Sequence, residues 1–361
     1  MRRKPMTRHR PRTVVLGGLL CLLAGTTQPF AQAVPRPDRP QTLAEVRAEL
    51  ESLYHDAEVA TEEYNAAGED VAAQEKKLDV LGAQVARADA RLVRLRALVG
   101  AAARAQYRGG GMPAEVQFAL SSDPEHALDA AGLARQAQLG TDRQLVALVE
   151  TESRLKTKAE QAAEELDGLR EIQQTRDTAR DKVTRQIAAA RKLEARLEAD
   201  ELKRLADLEK QDAAKAQAAW LKTGVLDGVG TTASVGGKKA VAYATDQLGK
   251  PYVWGAEGPD SFDCSGLTSQ AWLAAGVTIP RTSQEQWKQL KRVAIEDMRP
   301  GDLIIYFDDA SHVALYVGAG RIIHAPRPGR TITVAPAASM RILGVVRPDP
   351  QAQAQAPAAK K

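Results

Sequence analysis

Aromatic side chains are scarce. Tryptophan, tyrosine and phenylalanine make up 4% of the chain, against 44% hydrophobic residues overall. The apolar content is therefore mostly alanine and leucine, which favours long helices over one large globular core. Cysteine is rarer still: Cys21 and Cys264 are the only two. Cys21 falls in a segment expected to be removed, leaving one thiol. A single cysteine in an exported protein excludes an internal disulfide and leaves interchain pairing or a free reactive group. There are five histidines. With one cysteine they show none of the usual zinc spacing, and neither a metal nor another cofactor is implied. An excess of charge is also lacking. A formal +4 over 361 residues carries no nucleic-acid signal, although a basic protein can work near anionic wall polymers.

Residues 1–33 read as a secretory signal peptide. Arg2, Arg3, Lys4, Arg8, Arg10 and Arg12 form a positive n-region, Val14 to Ala24 a short apolar h-region, and Ala31-Gln32-Ala33 a small-x-small cleavage site. The apolar run is too short to span a bilayer comfortably. Secretion to the cell exterior follows, with cleavage near Ala33. Residues 34–40 are a Pro-rich spacer.

Residues 41–222 carry a heptad pattern. Steps of three and four from Leu43 give Val46, Leu50, Leu53, Ala57, Ala60, Tyr64, Ala67 and Val71. After a polar break at Gln74 they resume with Leu78, Leu81, Val85, Ala88, Leu92, Leu95 and Val99. Such a helix cannot bury its stripe alone. A break at Arg108 to Pro113 and a short segment, Glu115 to Leu120, precede the Ser122-Asp123-Pro124-Glu125 cap. A second helical run then extends from about Leu133 to Leu221. The reading is an antiparallel coiled-coil hairpin with a small tip. A parallel dimer is the alternative.

Residues 223–237 read as a flexible glycine-rich linker. Residues 238–348 change character: a helix at Lys238 to Leu248, then predicted strands at Leu303–Phe307, His312–Val317, Arg321–His324, Thr331–Val334 and Ile342–Val346. Helices followed by a strand meander indicate an α+β domain. Residues 349–361 are low-complexity and read as a disordered tail. The chain is thus multidomain, with an N-terminal all-α hairpin and a C-terminal α+β domain.

Cys264 follows the turn formers Pro259, Asp260, Ser261 and Asp263 and opens an apolar run, Leu267 to Ala275. It is predicted in the first turn of a buried helix. Free backbone N–H groups and the helix dipole there favour a thiolate. In the strand beginning at His312, alternation puts Val313, Leu315 and Val317 on the core face and His312, Ala314 and Tyr316 on the other. The Gly318-Ala319-Gly320 turn places His324 opposite Ala314 and diagonal to His312, within hydrogen-bonding reach. With the Cys264 helix packed on that face, the order is thiol, base and orienting group. His55 and His126 fall on the helical arms or tip and receive no role.

Several segments together resemble the NlpC/P60 cell-wall peptidases: Tyr252-Val253-Trp254-Gly255, Phe262-Asp263-Cys264-Ser265-Gly266-Leu267, Pro280-Arg281-Thr282-Ser283, Arg299-Pro300-Gly301-Asp302-Leu303, His312-Val313-Ala314-Leu315-Tyr316 and Ile323-His324-Ala325. The resemblance covers about Lys238 to Val346. It implies a papain-like fold, with Cys264 as nucleophile, His312 as base and His324 as third residue. Tyr252 matches a tyrosine that helps hold substrate or stabilise the oxyanion, and Asp263 and Ser265 match residues that meet the substrate's amine end. The implied substrate is the peptidoglycan stem peptide, cut between D-iso-glutamate and a diamino acid. A familiar Trp-Gly-Gly reads Trp254-Gly255-Ala256 here. A muramoyl-alanine amidase on the same fold, or a surface scaffold with an inactive domain, are the rivals. More loosely, the helical region with Tyr107-Arg108-Gly109-Gly110 resembles coiled coils of secreted cell-separation hydrolases. It implies restraint of the peptidase and docking on a division-linked membrane complex of the FtsE–FtsX type. A chain beginning near Lys238 is then expected to digest cell wall faster than the full mature chain.

Overall fold

The computed structural model describes residues 42–108, 116, 124–227, 229 and 232–350. The predicted signal, the proline-rich spacer, the glycine break, the Ser122-Asp123 cap and the tail beyond residue 350 lie outside them.

Helix α1 (Leu43–Arg108) begins at a reciprocal cap. The Thr42 N–H donates to Glu45 Oε2 at 2.7 Å, while the Glu45 N–H reaches back to Thr42 Oγ1 at 3.3 Å. Helix α2 (Pro124–Glu194) runs antiparallel beside it. Tyr54 pairs with Glu194 at 2.9 Å, Gln74 with the Glu165 carbonyl at 2.8 Å, and Arg96 with Glu152 at 3.0 Å. The polar break at Gln74 thus satisfies a partner across the seam. Apolar contacts follow the predicted stripe: Val46, Leu50 and Tyr54 meet Ala190 and Leu193, and Ala57 and Ala60 meet Val183 and Ile187.

The return run is not one helix. It breaks after Glu194, and α3 (Ala199–Leu221) starts from a fresh capping box of Glu198 and Glu201. The break redirects the chain onto the C-terminal domain.

That domain holds helices α4 (Val235–Asp246), α5 (Cys264–Ala274) and α6 (Ser283–Gln289). Its strands are β1 (Lys291–Val293), β2 (Leu303–Tyr306), β3 (His312–Gly318), β4 (Arg321–His324), β5 (Thr333–Pro336) and β6 (Ile342–Arg347). All neighbours are antiparallel, in the order β1-β6-β2-β3-β4-β5. The sequence pattern misses α6 and β1. The first is short and polar, and the second is a three-residue edge strand too brief to show alternation.

Both sheet faces are covered, which corrects the expectation of a single core face. One face packs Val313 and Leu315 against Ala240, Leu267 and Trp272 of α4 and α5. On the other, Ile304, Tyr306, Ala314, Tyr316 and Ile322 lie beneath Trp220, Leu226 and Val229. Gln217 fixes α3 there, donating to the Gly320 carbonyl at 3.1 Å and accepting from the Ala338 N–H at 2.9 Å. The predicted linker is therefore packed at Leu226 and Val229 rather than free. The predicted tail is tied at its first residue, where Asp349 meets Ser234 and Arg299.

Trp272 is fully buried and its indole N–H donates to the Gly301 carbonyl at 3.1 Å. Trp272→Ala removes a large core side chain and orphans that carbonyl. It is expected to cost about 3–5 kcal/mol in denaturant unfolding.

Candidate active site

The start of α5 is held from several directions. Asp263 is its N-cap, accepting from the Gly266 N–H at 2.6 Å and the Gly255 N–H at 2.9 Å. The buried Arg281 guanidinium grips the same carboxylate at 3.1 and 2.7 Å, and donates to Ser265 Oγ at 2.8 Å and Glu257 at 2.9 Å. Glycine is required at position 266, because a Cβ there would collide with the Ala256 carbonyl. Cys264 opens the helix with 1% of its surface exposed. Its helix packs on the Val313–Leu315 face of the sheet, not on the His312–Ala314 face anticipated from sequence. The thiol still reaches β3 at its first residues, where the Val313 N–H points at it.

The two histidines meet as the hairpin register requires. Leu315 pairs with Ile323, and His312 Nε2 lies 3.0 Å from His324 Nδ1 with the rings nearly perpendicular, at 89°. Burial, then the neighbouring His312, push the His324 pKa well below the usual imidazole range. His324 is therefore neutral. With His312 donating Nε2–H to His324 Nδ1, the lone pair of His312 falls on Nδ1.

Helix α1 lies in this site. Glu58, Glu62 and Asn65 are spaced by four and three residues and share one helix face. Glu62 Oε1 accepts from Ser265 Oγ at 2.7 Å and lies 3.7 Å from Cys264 Sγ, while Oε2 accepts from the Ser283 N–H at 2.7 Å. Asn65 Nδ2 donates to Asp263 Oδ2 at 3.0 Å. Glu58 Oε1 stands 3.2 Å from His312 Nδ1, in ion-pair range but without hydrogen-bond alignment. Beside them Tyr64 packs edge-on against Trp254, with ring centres 5.1 Å apart. A cavity of about 680 Å³ runs along α1 at Ala66 and along Arg281 and Thr282, and one of about 490 Å³ lies between Ile187 of α2 and Tyr252 and Trp254.

The electrostatics of this arrangement overturn the thiolate expectation. Burial, then Glu62, Asp263 and Glu58, push the Cys264 thiol well above its ordinary range, outweighing the Val313 N–H. Burial raises the Tyr252 hydroxyl likewise, with the Cys264 sulfur as the next cause. Glu62 itself is pushed up to about 7 by burial and by Asp263, against the hydrogen bonds from Ser265 and Ser283.

Each residue singled out in sequence lies in this one neighbourhood. Cys264, Asp263 and Ser265 stand at the α5 start, His312 and His324 at the strand ends, and Tyr252 buried beside them. Sequence reasoning missed Glu58, Glu62 and Asn65, and gave Arg281 no role beyond its place in the Pro280-Arg281-Thr282-Ser283 segment. Its heptad register treated the flank of the stripe as solvated. One signal was available: charged and polar residues repeating at helical spacing on the face next to the stripe. His55 also has a contact, since its ring packs on Phe307 and Nε2 meets Asp309 at 3.1 Å.

Residues 249–342 match the NlpC/P60 family. This segment is an NlpC/P60 domain. It contains Tyr252, Cys264, His312 and His324. A probable endopeptidase of Corynebacterium glutamicum is 42% identical over 118 residues, covering 33% of this chain and 56% of that protein. A probable endopeptidase of Mycobacterium tuberculosis is 40% identical over 96 residues, 27% of this chain and 25% of its own length. The solved NlpC/P60 domain of the peptidoglycan hydrolase SagA shows 32% identity, over 31% of this chain and 97% of that domain, with a TM-score of 0.29. The chain spans about half the length, or less, of these full-length curated relatives.

Proposed function

We propose that the chain is an exported peptidoglycan hydrolase, a cysteine endopeptidase that cuts the D-iso-glutamyl–diamino acid bond of stem peptides. Its α1–α2 pair acts as a coiled-coil hairpin that restrains the enzyme from within the cleft. The observation that carries this reading is the seat of Glu62. A side-chain carboxylate rests on Ser265 Oγ and the Ser283 N–H, 3.7 Å from the one free thiol among the described residues. An iso-glutamyl residue offers the same group, a free carboxylate close to its side-chain carbonyl. Asn65, an N–H donor on Asp263, occupies the place expected for the substrate's amine end. The names of the relatives, probable endopeptidases and a peptidoglycan hydrolase, support the same class.

With α1 withdrawn, each residue takes one part in this reading. His312 Nδ1 takes the Cys264 proton, and the thiolate attacks the iso-glutamyl carbonyl carbon. Backbone N–H groups at the α5 start, with Tyr252 alongside, face the developing oxyanion. The C–N bond breaks as His312 returns its proton to the leaving amine of the diamino acid. Water, deprotonated by His312, then attacks the thioester carbonyl, releasing the iso-glutamyl carboxylate and the thiol. Neutral His324 holds the imidazole's orientation throughout. A division-linked membrane complex is the class of partner that would draw α1 out.

Mass spectrometry of peptidoglycan fragments tests the bond assignment. The full chain carrying Glu62→Arg is expected to release peptides with a new free amine on the diamino acid, and Cys264→Ala none. A new alanine amine would instead identify an amidase.

A further inference from the structure

We propose that closure of α1 is proton-linked: seating Glu62 against Cys264 takes up a proton, so the restraint tightens in mild acid and loosens as the medium turns alkaline. This rests on the reading of α1 as a restraint.

The geometry gives the Glu62 carboxylate no cation. Glu62 is 2% exposed, and its contacts are two neutral donors and a thiol. Arg281 is the nearest positive group, but its guanidinium is already committed to Asp263 and Glu257. Glu58, on the same helix, faces His312 instead. The cations of α2 packed on this part of α1 are engaged elsewhere, Arg176 with Tyr64 at 2.8 Å and Lys182 with Glu63 at 3.4 Å. His324 is neutral, and Tyr252 and Cys264 are held protonated by burial. Three carboxylates, Glu58, Glu62 and Asp263, therefore crowd one buried site around one guanidinium.

The hydrogen-bond network accepts the extra proton without moving heavy atoms. With Glu62 ionised, Ser265 donates to it at 2.7 Å. With Glu62 protonated, the carboxyl donates to Ser265 Oγ across the same 2.7 Å, and the serine proton turns to Asp263 Oδ1 at 3.3 Å. Arg281 donates to both atoms in either case. When α1 is withdrawn, Glu62 lies on a solvated helix face and regains its ordinary value.

The sign follows from the raised value in the closed form. The contribution of Glu62 to closure is fully present below about 4.5 and is lost as the pH rises through about 7. Thiolate formation at Cys264 also needs the helix out, and so favours opening at alkaline pH.

The test compares hydrolysis of purified peptidoglycan by full-length wild type, Glu62→Gln and Glu62→Arg from pH 5 to 8.5. Dividing each rate by that of Glu62→Arg at the same pH cancels the pH dependence of the chemistry itself. The wild-type ratio is expected to rise by 10-fold or more, up to on the order of 100-fold, between pH 5 and 8. The Glu62→Gln ratio, its side chain a permanent neutral isostere, should stay low with most of that slope gone. A flat wild-type ratio below an active Glu62→Arg would overturn the proton link alone. A wild-type slope retained by Glu62→Gln would overturn the assignment to Glu62. Glu62→Arg and Glu62→Ala both folded by circular dichroism yet no faster than wild type at any pH would sink the restraint itself.

Discussion

Glu62→Arg is expected to raise peptidoglycan hydrolysis by the full chain at least about tenfold at neutral pH. Arginine offers no acceptor to Ser265 or to the Ser283 N–H, both of which now bond the carboxylate. It is also larger than the slot, which is closed around a side chain only 2% exposed. Asp263 attracts it little, being already filled by Arg281, Gly255 and Gly266. Losing two buried hydrogen bonds costs the closed form about 0.5–1.5 kcal/mol for each. A tenfold shift needs about 1.4 kcal/mol. The gain should vanish when Cys264→Ala is added, which separates activation of this site from a contaminating hydrolase. Fragment release by full-length single and double variants, measured side by side, decides the matter. An unchanged rate in a folded Glu62→Arg protein would remove α1 as the inhibitor.

Cys264→Ala in the activated background should cost the largest factor of all, at least about 10³-fold, because no other group in the site can form the acyl intermediate. His312→Gln is expected to fall nearly as far, since glutamine keeps a similar size but cannot take the thiol proton. His324→Gln should cost less. Its neutral ring only orients His312, and glutamine still presents an acceptor to Nε2–H. Labelling with a small thiol-reactive electrophile gives a second readout. In the activated background it should modify Cys264 quickly, and slowly once His312 is replaced. Equal labelling rates with and without His312 would show that the imidazole does not activate the sulfur.

The Cys264 and histidine placements were more legible in sequence than the helix face that covers them. Cys264 declared itself by rarity and by the N-cap before it, and the His312–His324 contact followed from strand pairing alone. Local patterns of that kind specify local geometry. The α3 break was hidden because the residues around Glu194 to Glu201 keep good helix propensity on both sides. The second covered face of the sheet was hidden because Ala314 and Tyr316 read equally well against solvent or against Trp220. Glu58, Glu62 and Asn65 were hardest, since a glutamate beside a heptad stripe usually points at water. Only their meeting with Asp263, Cys264 and His312, far away in sequence, reveals the difference.

The clasp of α3 on the sheet bears on the proposed restraint by α1. Trp220, Leu226 and Val229 shield an apolar face, and Arg327 and Arg330 pair with Glu209 of the same helix at 3.0 and 2.9 Å. Cutting the chain near Lys238 would strip that cover, so such a fragment could lose solubility for reasons unrelated to release of the cleft. On the proposed reading, the restraining helix stays tethered in the intact chain. Once whatever drew it away lets go, it returns as an intramolecular ligand at high local concentration, indifferent to dilution. Such an enzyme can be turned off again, which a zymogen opened by a cut cannot.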